Sequence, residues 1–298
     1  MSSYRFITDS ASDIPDEALA QYDITMLGIP MTIDGQSYRE REDFTTQEFY
    51  QILRQAKELP VTSHITHLEF YEQYQKARQQ GVEHIVVVTI TSKGSNMYNA
   101  ACMAKDYFFQ ENPQCRDTLT IDVIDSQAYT MVYGTAIIEA AKMARAGRPH
   151  EEIVDYLSHI PEHFDIYFTI FNLEYAKRSG RISFAAAFVG ELLGLRPIMT
   201  LRDGQVTLTE KVRGDRAALT HLAELYATGA AATGKQGYFI VRGDNDLMAK
   251  ELIEAIEAQT GHAPDAVYNI GACITLNAGP AVVGVTVPKP DCRQNTPL

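Results

Sequence analysis

Hydrophobic and polar positions switch between a period of two and a period near 3.6 along the first half of the chain. Tyr4–Thr8 reads as a strand that ends in Asp9-Ser10, with a short helix from about Asp13. Ile24–Ile33 is apolar and β-rich, and Asp34-Gly35 marks a turn. Thr45 with Glu48, and Thr66 with Glu69, have the spacing of capping boxes, predicting helices to about Leu59 and Gly81. Ile85–Ile90 has the composition of a buried strand, Ser95–Gln110 of a helix, Leu119–Ile124 of a strand and Ala128–Ala146 of a long helix.

Gly147-Arg148-Pro149 punctuates the chain before a helix over His150–Leu157, and Asp165–Phe171 opens a new apolar strand. An Ala-rich segment follows over Phe184–Leu195, then a hairpin over Pro197–Thr209 turning at Asp203-Gly204. Asp215–Thr228 and Leu247–Gln259 are predicted helices; Gly237–Val241, Ala266–Ile270 and Ala281–Val287 are predicted strands. This alternation predicts an α/β protein with a Rossmann-like parallel sheet in residues 1–164 and a mixed α/β domain in residues 165–298.

No apolar run reaches the ~20 residues that span a bilayer, so an integral membrane protein is not expected. The N-terminal residues run directly into the first strand, leaving no room for a signal peptide, and a cytoplasmic location is expected. Cys102, Cys115, Cys273 and Cys292 are scattered without a CxxC pair, which favours free thiols over zinc or disulfides. A net charge of −12 opposes nucleic acid as a partner.

Three polar loops stand where a strand ends or a helix begins, the edge at which open α/β sheets bind ligands. They are Thr62-Ser63, Thr91-Ser92-Lys93-Gly94-Ser95-Asn96, and Asn277-Ala278-Gly279-Pro280. The first two lead into helices whose free N–H groups favour an anion. Capping and turn formation are the commoner use of these residue types at any single site.

Taken in order, the motifs resemble those of the DegV family. Thr8-Asp9-Ser10 with Asp13-Ile14-Pro15 is similar to the family's TDS…DIP, and Val61-Thr62-Ser63 to its TSQ-type loop. Ile90 to Tyr98 resembles SSxLSGTY, Ile124-Asp125-Ser126 the following IDS, and Leu173 to Ser183 LEYLKKGGRIS. Arg196-Pro197-Ile198 resembles the next KPI, and Ile270 to Pro280 IGPVIGxHxGPG, so the likeness runs over nearly the whole chain. The resemblance implies two α/β domains with a fatty acid buried between and within them. It implies a binding subunit of a bacterial fatty-acid kinase: a separate, DhaK-like ATP-binding subunit phosphorylates the carboxylate to an acyl phosphate for lipid synthesis. It also implies that Thr62 and Ser95 hydrogen-bond the carboxylate, with Ser63 and the backbone at Asn96 beside them.

The chain departs from the family pattern at several of these positions. Asn277 stands where the family has a histidine ligand, and an amide donates N–H without titrating. Thr275 and Ala281 replace glycines nearby, while Asn96 and Met97 replace Gly and Thr in the central loop. No Walker A sequence is present, so the chain is expected to be a non-enzymatic binding subunit with no cofactor beyond the bound acid.

Phe184, Phe188 and Leu192 of the Ala-rich segment are candidate walls for an acyl tunnel, together with Phe168 and Ile170 on the strand they would face; a plain core helix explains the same pattern. Arg178 and Arg181 are candidates for contact with a partner or a transferring phosphate, the alternative being a solvated helix end. His64, His67 and Glu69 read as a capping turn rather than a metal site. Asp9 and Asp125 read as loop caps rather than an acid–base pair. Two other functions stay open: a fatty-acid sensor or carrier without kinase transfer, and a stand-alone enzyme acting on a small acid or phosphorylated metabolite through Ser95, Asp9 and Arg181.

Overall fold

The computed structural model describes residues 3–182 and 194–290. The chain divides into two compact units, Met1–Asp43 with Val61–Ile160, and Phe44–Pro60 with Pro161–Leu298. The chain passes from the first unit to the second between Ile160 and Pro161, and residues 44–60 also belong to the second unit.

In chain order the elements begin with β1 (Tyr4–Asp9), a 3-10 turn over Ser10–Ser12, α1 (Asp16–Tyr22), β2 (Ile24–Leu27), β3 (Pro30–Ile33) and β4 (Gln36–Arg39). Next come α2 (Thr46–Gln55), β5 (Val61–Thr62), α3 (His67–Gln79), β6 (His84–Thr89), α4 (Met97–Glu111), β7 (Thr120–Asp125), α5 (Met131–Arg145) and α6 (His150–Ser158). Both capping boxes form as the spacing predicts. Thr45 and Thr66 accept from the Glu48 and Glu69 amides, and each glutamate returns a bond to the cap's own N–H.

The first unit holds a parallel sheet in the order β2-β1-β6-β7. Its central strands read as continuous apolar runs because both faces are covered; Ile85, Val86, Val87 and Val88 are all fully buried. The apolar run over Ile24–Ile33 is not one strand. It splits into β2 of this sheet and β3 of a small antiparallel sheet, β4-β3-β5, whose β3–β4 hairpin turns at Asp34-Gly35.

The second unit continues with α7 (Ile160–His163), β8 (Phe164–Ile170), α8 (Glu174–Ser179), β9 (Leu195–Arg202), β10 (Gln205–Arg213) and α9 (Asp215–Thr233). It ends with β11 (Phe239–Arg242), α10 (Asp246–Thr260), β12 (Ala266–Asn269), α11 (Ala272–Ala278) and β13 (Val282–Pro288). The six strands form one mixed sheet, β10-β9-β8-β13-β11-β12, antiparallel except between β11 and β12. Strand alternation gives it two apolar faces. Ile198, Ile240, Val283, Val285 and Val287 pack with Leu219, Leu222 and Tyr226 of α9 and Leu252 and Ile256 of α10. Phe168, Ile170, Met199, Val241 and Val282 alternate onto the opposite face.

On that second face Phe168 lies across from Gly284 of β13. A Cβ on Gly284 would come within 2.7 Å of the Phe168 Cβ, so the ring's place depends on the missing side chain. Among the described residues no helix is long and apolar enough to cross a membrane.

Gly284→Val is expected to destabilise the protein by about 1–3 kcal/mol through overpacking. Combining it with Phe168→Ala should recover part of that loss, which urea unfolding of the two single variants and the double variant measures. Strict additivity would show that the two positions do not contend for the same space.

Candidate functional site

The strand order of the first unit carries a change of direction. The chain moves outward from β1 to β2, then returns to β6 on the other side of β1 and moves outward again to β7. The helices sort accordingly, α1 packing with α5 and α3 with α4. The point where the direction reverses lies between β1 and β6, and the crevice at the carboxyl ends of such strands is where open α/β sheets receive ligands.

Asp9, the last residue of β1, is fully buried there. Its carboxylate accepts the Ala11 N–H at 3.1 Å, the Ile90 N–H at 2.8 Å and the Tyr133 hydroxyl at 2.8 Å. Burial raises its pKa from the ordinary 3.8 to about 6, against the lowering effect of those three donors and with a smaller upward push from Glu40. Glu40 is itself buried and accepts the Ser10 hydroxyl at 2.6 Å, while Ser10 Oγ accepts the Ile29 N–H at 3.0 Å. Asp9 is thus a loop cap and a bridge from β1 to the end of β6, as its reading as a backbone-bonded cap expects.

The loop Thr91–Asn96 leaves β6 at this point and enters α4, with Asn96 as the residue before the first turn. Gly94 and Ser95 both donate N–H to Thr91 O, at 3.0 and 3.2 Å, which closes the loop on itself. Ser92 donates its N–H to Asp125 Oδ1 at 3.0 Å, the same oxygen that accepts from Gln127 N–H. Asp125 is therefore also a loop cap. Asn96 accepts the Asn99 side-chain amide at 2.8 Å and makes no side-chain cap, so the first turn of α4 keeps its N–H groups uncapped by Asn96.

Thr62 ends β5, which pairs with β3, and Ser63 N–H donates to Pro30 O at 2.9 Å. The chain then reaches the capped start of α3. Tyr74 Oη donates to Ala101 O and Arg78 to Asn112 Oδ1, so positions later along α3 meet positions later along α4. The two helices run in the same direction, and the Thr62-Ser63 and Ser95-Asn96 loops open at the same end of the pair. The hydroxyls of Thr62 and Ser95 make no hydrogen bond among the described residues.

Asn277 belongs to the second unit and lies in α11, not in the loop expected over residues 277–280. The helix passes unnoticed in the sequence because its seven residues are short and β-branched in part. The Asn277 amide donates to Cys273 O at 2.7 Å, one turn back. Its second N–H is left for another acceptor. Ile170 is fully buried and Phe168 partly so, while Phe184, Phe188 and Leu192 lie outside the described residues.

Arg178 sits on α8 and, with Tyr175 and Asn172, lines a cavity of about 270 Å³ together with Leu53 of α2 and Ala56 and Leu59 beyond that helix. Arg181 follows the left-handed Gly180 that ends α8, and donates to Ser179 O at 2.9 Å. It stands at a helix C-terminus, where its charge suits the dipole. Glu69, one of the residues weighed as a metal ligand, is engaged by Thr66 and by Arg39 at 2.5 Å.

The two α/β units, with polar loops at a switch point of the first, define an α/β protein with the sheet edge at which such folds receive ligands. The DegV family model, described as uncharacterised proteins of that family, matches residues 3–289, and the chain belongs to the DegV family. A DegV domain-containing protein of Clostridium perfringens is 30% identical over 285 residues, covering 94% of this chain and 97% of the relative. A structure from Thermus thermophilus, described as fatty-acid binding by a DegV family protein, is 26% identical with a TM-score of 0.82, covering 96% of this chain and 99% of its own. A stearic-acid-binding protein from Eubacterium ventriosum is 25% identical with a TM-score of 0.83, covering 96% and 98%.

Because the folded protein holds Asp9 with a raised pKa, it binds this proton more tightly than the unfolded chain does. The stabilisation from the proton is complete below pH 3.8 and is lost as the pH rises through about 6. Relative to Asp9→Asn, which does not titrate, wild type should therefore lose up to about 3 kcal/mol between pH 4 and 7. Urea unfolding at intervals across that range measures the difference; a constant offset would mean that Asp9 ionises like an exposed carboxylate.

Proposed function

We propose that this chain binds a long-chain fatty acid and presents its carboxylate to a separate kinase subunit. The observation that carries the reading is the likeness over 96% of the chain to two solved structures described as fatty-acid-binding. The hydroxyls of Thr62, Ser63 and Ser95, the backbone amide at Asn96, and the spare N–H of Asn277 are assigned to the carboxylate. All are neutral donors. They hold the acid without the charge pairing of an arginine fork, so one oxygen keeps its nucleophilicity toward a phosphoryl group.

Phe168 and Ile170, on the sheet face turned away from α9 and α10, are assigned to the acyl chain, with Phe184, Phe188 and Leu192 as further candidates. Each methylene taken out of water contributes about 0.8 kcal/mol, so the chain supplies most of the affinity and the loops supply the selectivity for an acid. Arg178 and Arg181 are assigned to the partner or to the transferring phosphate. The partner is a DhaK-like ATP-binding subunit, the product an acyl phosphate for phospholipid synthesis, and the setting the cytoplasm.

Mass spectrometry of the purified protein, native and then denatured, is expected to find about one fatty acid per chain. Calorimetry with oleic acid should show a loss of about tenfold for Thr62→Ala and for Ser95→Ala, the value of one charge-assisted hydrogen bond. A protein that arrives empty and takes up no added acid would overturn the ligand class.

For transfer, the loaded protein with the kinase subunit and ATP should yield acyl phosphate. Arg181→Glu should abolish the yield without changing the amount of bound acid. Loaded protein that the kinase never phosphorylates would instead support a carrier or sensor.

A further inference from the structure

We propose that the loop from Asp125 to Thr130 is the template that shapes the Thr91–Asn96 loop, with Asp125 as its positioning residue. The proposal rests on the reading of Ser95 as a carboxylate donor and names what holds that donor in place.

Three contacts join the two loops in the first unit, and a fourth ties the second loop to the end of β6. Ser126 donates its N–H to Thr89 O at 3.2 Å and Thr91 donates to Ala128 O at 3.1 Å, continuing the pairing of β6 and β7 past the ends of both strands. Asp125 Oδ1 takes the Ser92 N–H. Gly94 lies under the Tyr129 ring, where a Cβ would come within 2.6 Å of the phenol oxygen. Every residue from Thr91 to Gly94 except Lys93 is thus held by the second loop, and Ser95 is the next residue along.

The template keeps its shape at a cost. Gln127 has φ 51° and Thr130 has φ 57°, the left-handed side of the map, which a β-branched residue rarely adopts. Backbone strain of this kind is about 1–3 kcal/mol per residue and persists where the surroundings over-determine it. Here the surroundings are identifiable. Asp125 Oδ1 holds Gln127 N–H, and Thr130 N–H donates to Ala11 O at 3.0 Å, in the turn that follows Asp9. The loop after β7 is therefore tied both to the loop after β1 and to the loop after β6, and of the three only the loop after β6 carries the donor.

A template of this kind acts on how well the site distinguishes an acid from a neutral lipid, because its effect reaches the ligand only through the carboxylate donors. The readout is the ratio of affinities for oleic acid and for methyl oleate, measured by calorimetry. Asp125→Ala should lower that ratio by about tenfold, as one displaced charge-assisted bond does, and leave methyl oleate affinity within about twofold. Asp125→Asn, whose amide oxygen still accepts from Ser92 and Gln127, should restore the ratio. If Asp125→Ala does not fold, Asp125→Glu takes its place: it keeps the charge and displaces the carboxylate from both amides.

Ser95→Ala runs beside them as the reference. A lowered ratio in Ser95→Ala with an unchanged ratio in the Asp125 variants overturns the template and spares the carboxylate site. An unchanged ratio in Ser95→Ala overturns the site, and the template with it. Equal loss of affinity for acid and ester in Asp125→Ala would assign that residue to general folding and overturn its positioning role.

Discussion

The hydrogen bond from Ile90 N–H to Asp9 spans the place where the parallel sheet reverses its direction of growth. A carboxylate withdrawn from water must be matched by donors or take up a proton, and Asp9 does some of each. Its three donors come from the turn after β1, the end of β6 and the first turn of α5. One buried group therefore ties two strands and the helix layer above them. The Thr91–Asn96 loop begins one residue beyond Ile90, so its starting point is fixed by the core rather than by its own residues.

The second unit solves a different problem. Its sheet has to present apolar side chains on both faces while using antiparallel strands, which more often keep one face wet. The face under α9 and α10 is filled by valines, leucines and two tyrosines at full burial. On the other face Phe168 sits opposite a glycine, so the surface is shaped by a large side chain beside an absent one rather than by uniform packing.

Much of this was open to reading from local pattern. The two capping boxes, the Asp203-Gly204 hairpin and the alternation of strands with helices all rest on interactions within a few residues, and each is where its spacing places it. The backbone-bonded roles of Asp9 and Asp125 also follow from their position at strand ends. What escapes is long-range. Nothing in Ile24–Ile33 says that its halves join different sheets, since both halves are equally apolar. The seven residues of α11 carry no cap and end beside Gly-Pro, which reads as loop. For the candidate site, residue types at the loops are legible, but the amides that Asp125 and Asp9 select depend on pairing between strands about 35 to 80 positions apart.

The exchange of residues 44–60 between units sets an order of events during synthesis. The helix α2 is made early, yet it belongs with residues made at the end, and its buried Tyr50 donates its hydroxyl to Ile270 O at 2.7 Å. At ribosomal speeds of about 5–20 residues per second, Tyr50 waits roughly 10–40 s for that acceptor. The nascent first unit must therefore fold around an excursion that belongs with residues not yet made. A chain truncated before Ile270 would lack that acceptor altogether.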